Sequence, residues 1–154
     1  LYTGDLGYTV DGELFICGRL KDMIIVRGRN FYPNDLEWVV SELPSVRRGN
    51  VVAFSVDVND GGQSGEQGEQ LVIAAEAHAS DAEALKQAIA QAIVATFSLS
   101  THDVVVVPQG SLPRTSSGKP QRRKTRQMYL DGTLARARAV HGNDGKPEDV
   151  GASA

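Results

Sequence analysis

Three short stretches of the chain carry side chains with evident chemical capacity. Tyr2-Thr3-Gly4-Asp5-Leu6-Gly7 sets one aspartate among glycines. An ionised carboxylate there can accept charge-assisted hydrogen bonds from two adjacent hydroxyls, or, as a turn aspartate, satisfy local backbone amides. Gly18-Arg19-Leu20-Lys21-Asp22 offers a guanidinium. Its planar fork can hold two oxygens at once, as lysine cannot; a surface salt bridge is the competing use. Leu112-Pro113-Arg114-Thr115-Ser116-Ser117-Gly118-Lys119 ends on an ammonium. A cation on a supple Ser-Ser-Gly loop can be carried to an anionic group and offset its charge. The plain alternative is that Gly118-Lys119 starts a basic helix. Arg114 and Ser117 are candidates for positioning only.

Other residues with chemical potential are less suggestive. His78, His102 and His141 lie far apart with no ligand-like spacing, so no metal or base role is assigned to them. Cys17 falls inside an apolar run and reads as a small packed residue rather than a nucleophile. Trp38 is expected to pack or half-pack on a helix. Gly110 to His141 carries eight basic residues against one acid, Asp131. The run Arg122-Arg123-Lys124-Thr125-Arg126 is either a docking face for an acidic partner or a plain solvated helix face. Nucleic acid is disfavoured, since Tyr129 is the only stacking residue nearby.

The elements that must position these groups follow from periodicity and turn chemistry. Tyr8-Thr9-Val10 and Glu13 to Cys17 are β-prone runs joined by Asp11-Gly12, a type I′ signal. Met23 to Val26 reads as a strand, followed by a bend in which Gly28 and Asn30 take positive φ. Pro33 opens a helix with Asp35 and Glu37 in its first turn; Leu36, Val39, Val40 and Leu43 give its apolar face, and Pro44 stops it. Asn50 to Val58 and Gln70 to Ala77 read as strands around a polar loop from Asn59 to Glu69. Asp81 caps an alanine-rich helix with Leu85, Ile89, Ile93 and Phe97 on one face. Val104 to Val107 is a further strand, Gly110 to Gly118 a loop, and Gln121 to Leu130 a helix closed near Gly132. The expected class is α+β: a small mixed sheet flanked by helices, with an N-terminal β-hairpin.

Length and composition bound the answer. The 154 residues, 41% of them hydrophobic, suit one globular domain with its own core. At 6% aromatic, that core must be mainly aliphatic. A formal net charge of −3 gives no general case for nucleic-acid binding. A single cysteine excludes an internal disulfide and suits a reducing, cytoplasmic setting. No apolar run approaches the roughly 20 residues of a membrane span. The chain opens on Leu1 with a motif immediately following, so an excised fragment of a longer chain is expected.

In order and spacing, the three motifs together closely resemble the adenylate-forming superfamily of acyl-CoA synthetases, luciferases and peptide-synthetase adenylation domains. The resemblance covers roughly residues 1 to 134. Arg27-Gly28-Arg29-Asn30-Phe31-Tyr32-Pro33-Asn34-Asp35-Leu36-Glu37 is similar to the fatty acyl-AMP ligase branch, as is the stretch from Pro113 through Arg122 to Tyr129. The resemblance implies the mobile C-terminal domain of such a ligase. Residues 1–20 would close the preceding domain and approach a hinge, 21–141 would form the lid domain, and 142–154 a disordered tail. It implies a fatty acid joined to AMP from ATP, with Mg2+ whose ligands lie elsewhere. The acyl group then passes to an acyl carrier protein or polyketide synthase instead of coenzyme A. Asp5 would bind the ribose hydroxyls, Arg19 the ribose or phosphate, and Lys21 with Asp22 the hinge. Lys119 would reach the carboxylate and α-phosphate during adenylation, while Arg122, Arg123, Lys124 and Arg126 would form a carrier-protein docking face. The rivals are the same domain of a long-chain fatty acyl-CoA ligase and a non-catalytic carrier-protein-binding module.

Overall fold

The structure, a computed structural model, describes residues 4–59, 67–77 and 82–134. The expected Asp81 cap, the middle of the polar loop, the tail from 142, His78 and His141 lie outside the described residues, as do Tyr2 and Thr3. The chain begins with the expected hairpin of β1 (Asp5–Val10) and β2 (Glu13–Arg19). Asp11 and Gly12 both take positive φ, 50° and 85°, as a type I′ turn requires. A second hairpin, β3 (Ile24–Val26) and β4 (Arg29–Phe31), turns the same way, with positive φ at Arg27 and Gly28. Asn30 is therefore not a bend residue: it sits in β4 opposite Ile25. The pairing of Val26 with Arg29 leaves room for only two turn residues, and Gly28 already supplies the second.

Helix α1 (Pro33–Ser41) starts on Pro33, which needs no backbone donor there. It ends at Ser41, short of Pro44. The Glu42 N–H already bonds back to Val39 and Val40 as the chain leaves the helix. Leu36 and Val40 are fully buried. Trp38 is not packed: it is 62% exposed, with the Arg48 guanidinium over its ring. Two residues along a helix is about 200° of rotation, so Trp38 faces away from the stripe that Leu36 begins.

The main sheet holds β5 (Val46–Asn59), β6 (Gln67–Ala77) and β7 (Thr101–Val107) in that order, antiparallel and then parallel. Helix α2 (Ala82–Phe97) forms the crossover that a parallel pair needs. The first two strands reach further into the polar loop than their side chains suggest: Asp57, Val58 and Asn59 pair with Glu69, Gly68 and Gln67. Backbone pairing does not depend on apolar side chains, so polar ends can extend a ladder. The sheet is covered on both faces, and the side chains alternate accordingly. Val51, Ala53, Leu71, Ile73 and Ala75 pack with Leu36, Val40, Leu85, Ile89 and Ile93 of α1 and α2. Val52, Phe54, Val56, Val72 and Ala74 pack on the other face with Leu112 and Leu134, beside Met128 and Tyr129 of α3 (Arg122–Leu130). The architecture is the expected α+β arrangement, with a mixed sheet between two helical layers.

Candidate functional site

Asp5 and Arg19 face each other across the first hairpin. The Arg19 Nε donates to Asp5 Oδ1 at 3.2 Å, and both side chains keep solvent access, 57% for Arg19 and 33% for Asp5. A carboxylate beside a guanidinium presents oxygen acceptors and N–H donors side by side, a pairing suited to hydroxyls next to an anion. Leu20 N–H bonds to Gly4 O, closing the open end of the hairpin. The chain then passes through a single 3-10 turn, Leu20–Asp22. The proposed hinge is thus one tight turn rather than irregular chain.

Beyond this turn the protein is braced. Arg122 at the start of α3 donates through Nη1 to Asp22 at 3.3 Å, through Nη2 to Glu37 Oε1 at 2.7 Å, and through Nε to the Ala53 carbonyl at 2.9 Å. Glu37 Oε1 also accepts the Ala53 N–H at 2.9 Å. Arg126 Nε bonds the Ser55 carbonyl. These bonds fall on the outer edge of β5, whose N–H and C=O groups would otherwise be an open template for another strand. Burial pushes the Glu37 carboxyl above its usual range, and the Arg122 charge and the Ala53 N–H act against that rise. Arg122 and Arg126 therefore hold the fold together and are not free docking charges. Only Arg123 and Lys124 of that run stand exposed. The helical period separates them: Arg122 and Arg126, four apart, share the face turned to β5. A cleft of about 430 Å3 opens between the 3-10 turn and α3, with Lys21, Asp22, Arg122, Arg123 and Arg126 among its walls.

Lys119 lies at the tip of the loop between β7 and α3 and is exposed. Its ammonium meets no hydrogen-bonding or ion-pairing partner among the described residues. The loop itself is not supple. Thr115 N–H bonds the Lys119 carbonyl, Gly118 N–H bonds the Thr115 carbonyl, and Lys119 N–H bonds Thr115 Oγ1. Arg114 and Pro120 form an isolated bridge, and Gly118 turns the chain at φ 80°, a conformation glycine adopts without strain. Serine and glycine favour turns as readily as they favour mobility, and here the turn bonds prevail. No hydrogen bond or ion pair links Lys119 to Asp5 or Arg19 among the described residues.

Glu76 and Asn50 escape a motif reading, and so does the bracing duty of Glu37 toward Ala53 and Arg122. Glu76 is 2% exposed on the central strand, accepts the Leu112 N–H at 2.8 Å and lies 3.6 Å from Arg114. Its signal in the sequence is an acid closing the apolar run Leu71 to Ala75, where a charge needs a partner. Among the described residues no three His, Cys, Asp or Glu side chains converge. No helix in them is long and apolar enough to cross a membrane.

Comparison with known proteins gives this geometry its context. The family described as Disco-interacting protein 2-like, AMP domain, matches residues 21–139. The chain is 42% identical over 150 residues to the long-chain-fatty-acid–AMP ligase FadD32 of Mycolicibacterium smegmatis, covering 86% of this chain and 24% of that protein. It is 42% identical over 138 residues to the medium-chain-fatty-acid–[acyl-carrier-protein] ligase JamA of Moorena producens, covering 86% of this chain and 22% of that protein. A solved structure of fatty acyl-adenylate ligases from E. coli and L. pneumophila superposes with a TM-score of 0.68 at 36% identity, over 87% of this chain and 23% of that one. The chain thus spans about a quarter of the length of the curated relatives it matches. With its mixed sheet, its braced Lys119 loop and these relatives, the chain belongs to the Disco-interacting protein 2-like AMP-domain family of adenylate-forming proteins.

Proposed function

We propose that the chain is the mobile C-terminal lid of a cytoplasmic fatty acyl-AMP ligase and that it supplies Lys119 to the adenylation step. The observation that carries this reading is the Lys119 ammonium, exposed and unpaired among the described residues at the tip of a hydrogen-bonded loop. A fatty carboxylate attacking the α-phosphate of ATP brings two anions together. A fixed cation at their meeting point lowers the barrier through interactions that strengthen as charge shifts toward the departing pyrophosphate. Asp5 would accept from the ribose hydroxyls and Arg19 would hold the ribose or phosphate. Because the loop is rigid, Lys119 arrives by movement of the whole lid rather than by bending of its own segment.

The pivot belongs at Leu20 and Lys21. Asp22 is fastened to α3 by Arg122 and so travels with the lid, whereas Lys21 is exposed beside the cleft. The start of the family match at Lys21 supports a lid of residues 21–141, with 1–20 closing a preceding adenylation domain. The hairpin supports this too: Leu14, Ile16 and Tyr8 are more than half exposed and lack a covering layer. The acyl acceptor in this reading is the thiol of an acyl carrier protein, the acceptor that the JamA relative is named for. Exposed Arg123 and Lys124 are the charges left to greet an acidic carrier. A coenzyme A acceptor is the second reading, because a 41% identical relative from Mycobacterium leprae is described as a putative fatty-acid–CoA ligase. The test offers the full-length enzyme fatty acid and ATP with either holo acyl carrier protein or coenzyme A. Prompt acylation of the carrier and little acyl-CoA is expected; prompt acyl-CoA formation would transfer the assignment to the second reading.

A further inference from the structure

We propose that Arg114, oriented by the buried carboxylate of Glu76, is a positioning residue that aims Lys119. This inference rests on the adenylation role given to Lys119 above. Arg114 Nη1 donates to the Gly118 carbonyl at 2.8 Å. That carbonyl belongs to the peptide joining Gly118 to Lys119, and the N–H of the same peptide donates to Thr115 Oγ1 at 3.1 Å. The peptide plane entering Lys119 is thus held on both sides, which fixes the direction in which the lysine leaves the backbone.

The guanidinium is itself tied to the sheet. Its Nη2 donates to Asn50 Oδ1 and to the Gly49 carbonyl at 3.3 Å, both on β5, and lies 3.6 Å from Glu76 Oε2 on β6. Glu76 Oε1 accepts the N–H of Leu112, whose side chain is buried, at the base of the same loop. The backbone carbonyl of Arg114 accepts from Gln121 Nε2 at 2.7 Å, so the loop is held on its α3 side as well. One central-strand carboxylate therefore anchors both the loop base and the arginine that grips its tip.

Stability alone does not account for a charge here. Well-packed apolar groups of similar volume commonly do as well as a buried ion pair or better. A long flexible lysine, by contrast, gains directly from a fixed root, because less freedom remains to be lost when its ammonium meets the reacting groups. Lysine in place of Arg114 would keep the charge but could not bond Gly118, Asn50 and Gly49 together.

The test measures the two half-reactions in the full-length enzyme, with thermal melts of each variant. Adenylation is followed by pyrophosphate release, and acyl transfer by consumption of supplied acyl-AMP. Arg114→Ala is expected to lower the adenylation kcat about 10- to 100-fold, and Glu76→Gln about tenfold, with acyl transfer held within about twofold. Arg114→Lys should recover only part of the loss. In a Lys119→Ala background, Arg114→Ala should cost no more than about twofold further, because a residue acting through Lys119 has nothing left to aim. A further tenfold loss in that background, or equal losses in both half-reactions that follow the melting temperature, would overturn the proposal. Should Arg114→Ala fail to fold, the near-isosteric Glu76→Gln in the same two backgrounds decides it. Failure of Lys119→Ala to impair adenylation at all would instead remove the parent reading, and this proposal with it.

Discussion

Replacing Arg122 with alanine removes three hydrogen bonds at once and leaves Glu37 facing the edge of β5 without its cation. Breaking a fully buried ion pair costs about 3–5 kcal/mol. Arg122 and Glu37 retain 22% and 20% side-chain exposure, so water screens part of that loss. A cost of about 2–3 kcal/mol follows. For a chain of this length, that lowers Tm by about 4–12 °C. The pH dependence has a definite sign. Burial already raises the Glu37 carboxyl, and Arg122 is the strongest influence opposing it, so the variant raises it further. Stability from a carboxyl raised in the fold is complete below its ordinary value of 4.5 and is lost as pH rises through the folded value. The deficit of the variant should therefore be largest near pH 7 and shrink toward about pH 4. Melts followed by circular dichroism across that range, with Glu37→Gln alone and in combination, give the coupling, expected at about 1–3 kcal/mol. A loss below about 1 kcal/mol, unchanged with pH and additive with Glu37→Gln, would refute the brace.

Two further outcomes follow from the packing. Ile89→Ala empties a fully buried site between α2 and the sheet and should cost about 2–5 kcal/mol, read as a lower urea midpoint with the slope unchanged. Tyr129 donates to Asp103 Oδ2 at 3.0 Å, and burial first, then that bond, pushes its phenol up to about 12. Its contribution to stability is complete below about pH 10 and is lost as pH rises through the folded value. Absorbance titration should accordingly lose a late phenolate step in Tyr129→Phe.

What the sequence revealed depended on how local the cause was. The type I′ turn at Asp11-Gly12, the Pro33 start of α1 and the Leu85-Ile89-Ile93 stripe are set by neighbours within a few residues, and all are legible. The exposure of Trp38 was legible too, in its angle from Leu36, although its size suggested burial. The internal duties of Arg122 and Arg126 were not, because their partners lie far away in sequence: Glu37, Ala53 and Ser55. A basic helix looks alike whether its charges meet water or an edge strand. The stiffness of the Lys119 loop escaped partly because Ser and Gly suit a turn and a mobile loop alike, and partly because Gly49 and Asn50, which hold Arg114, are over 60 residues upstream.

The most direct measurement of the central claim separates the two half-reactions of the full-length enzyme in Lys119→Ala. Lys119 is exposed, so folding should be undisturbed and the melting temperature should stay within about 1 °C of the parent. Acyl-AMP formation should fall at least about 100-fold, as when a single charge-stabilising group is removed, while thiol acylation from supplied acyl-AMP persists. Equal loss of both steps, or undiminished acyl-AMP formation, would contradict the account.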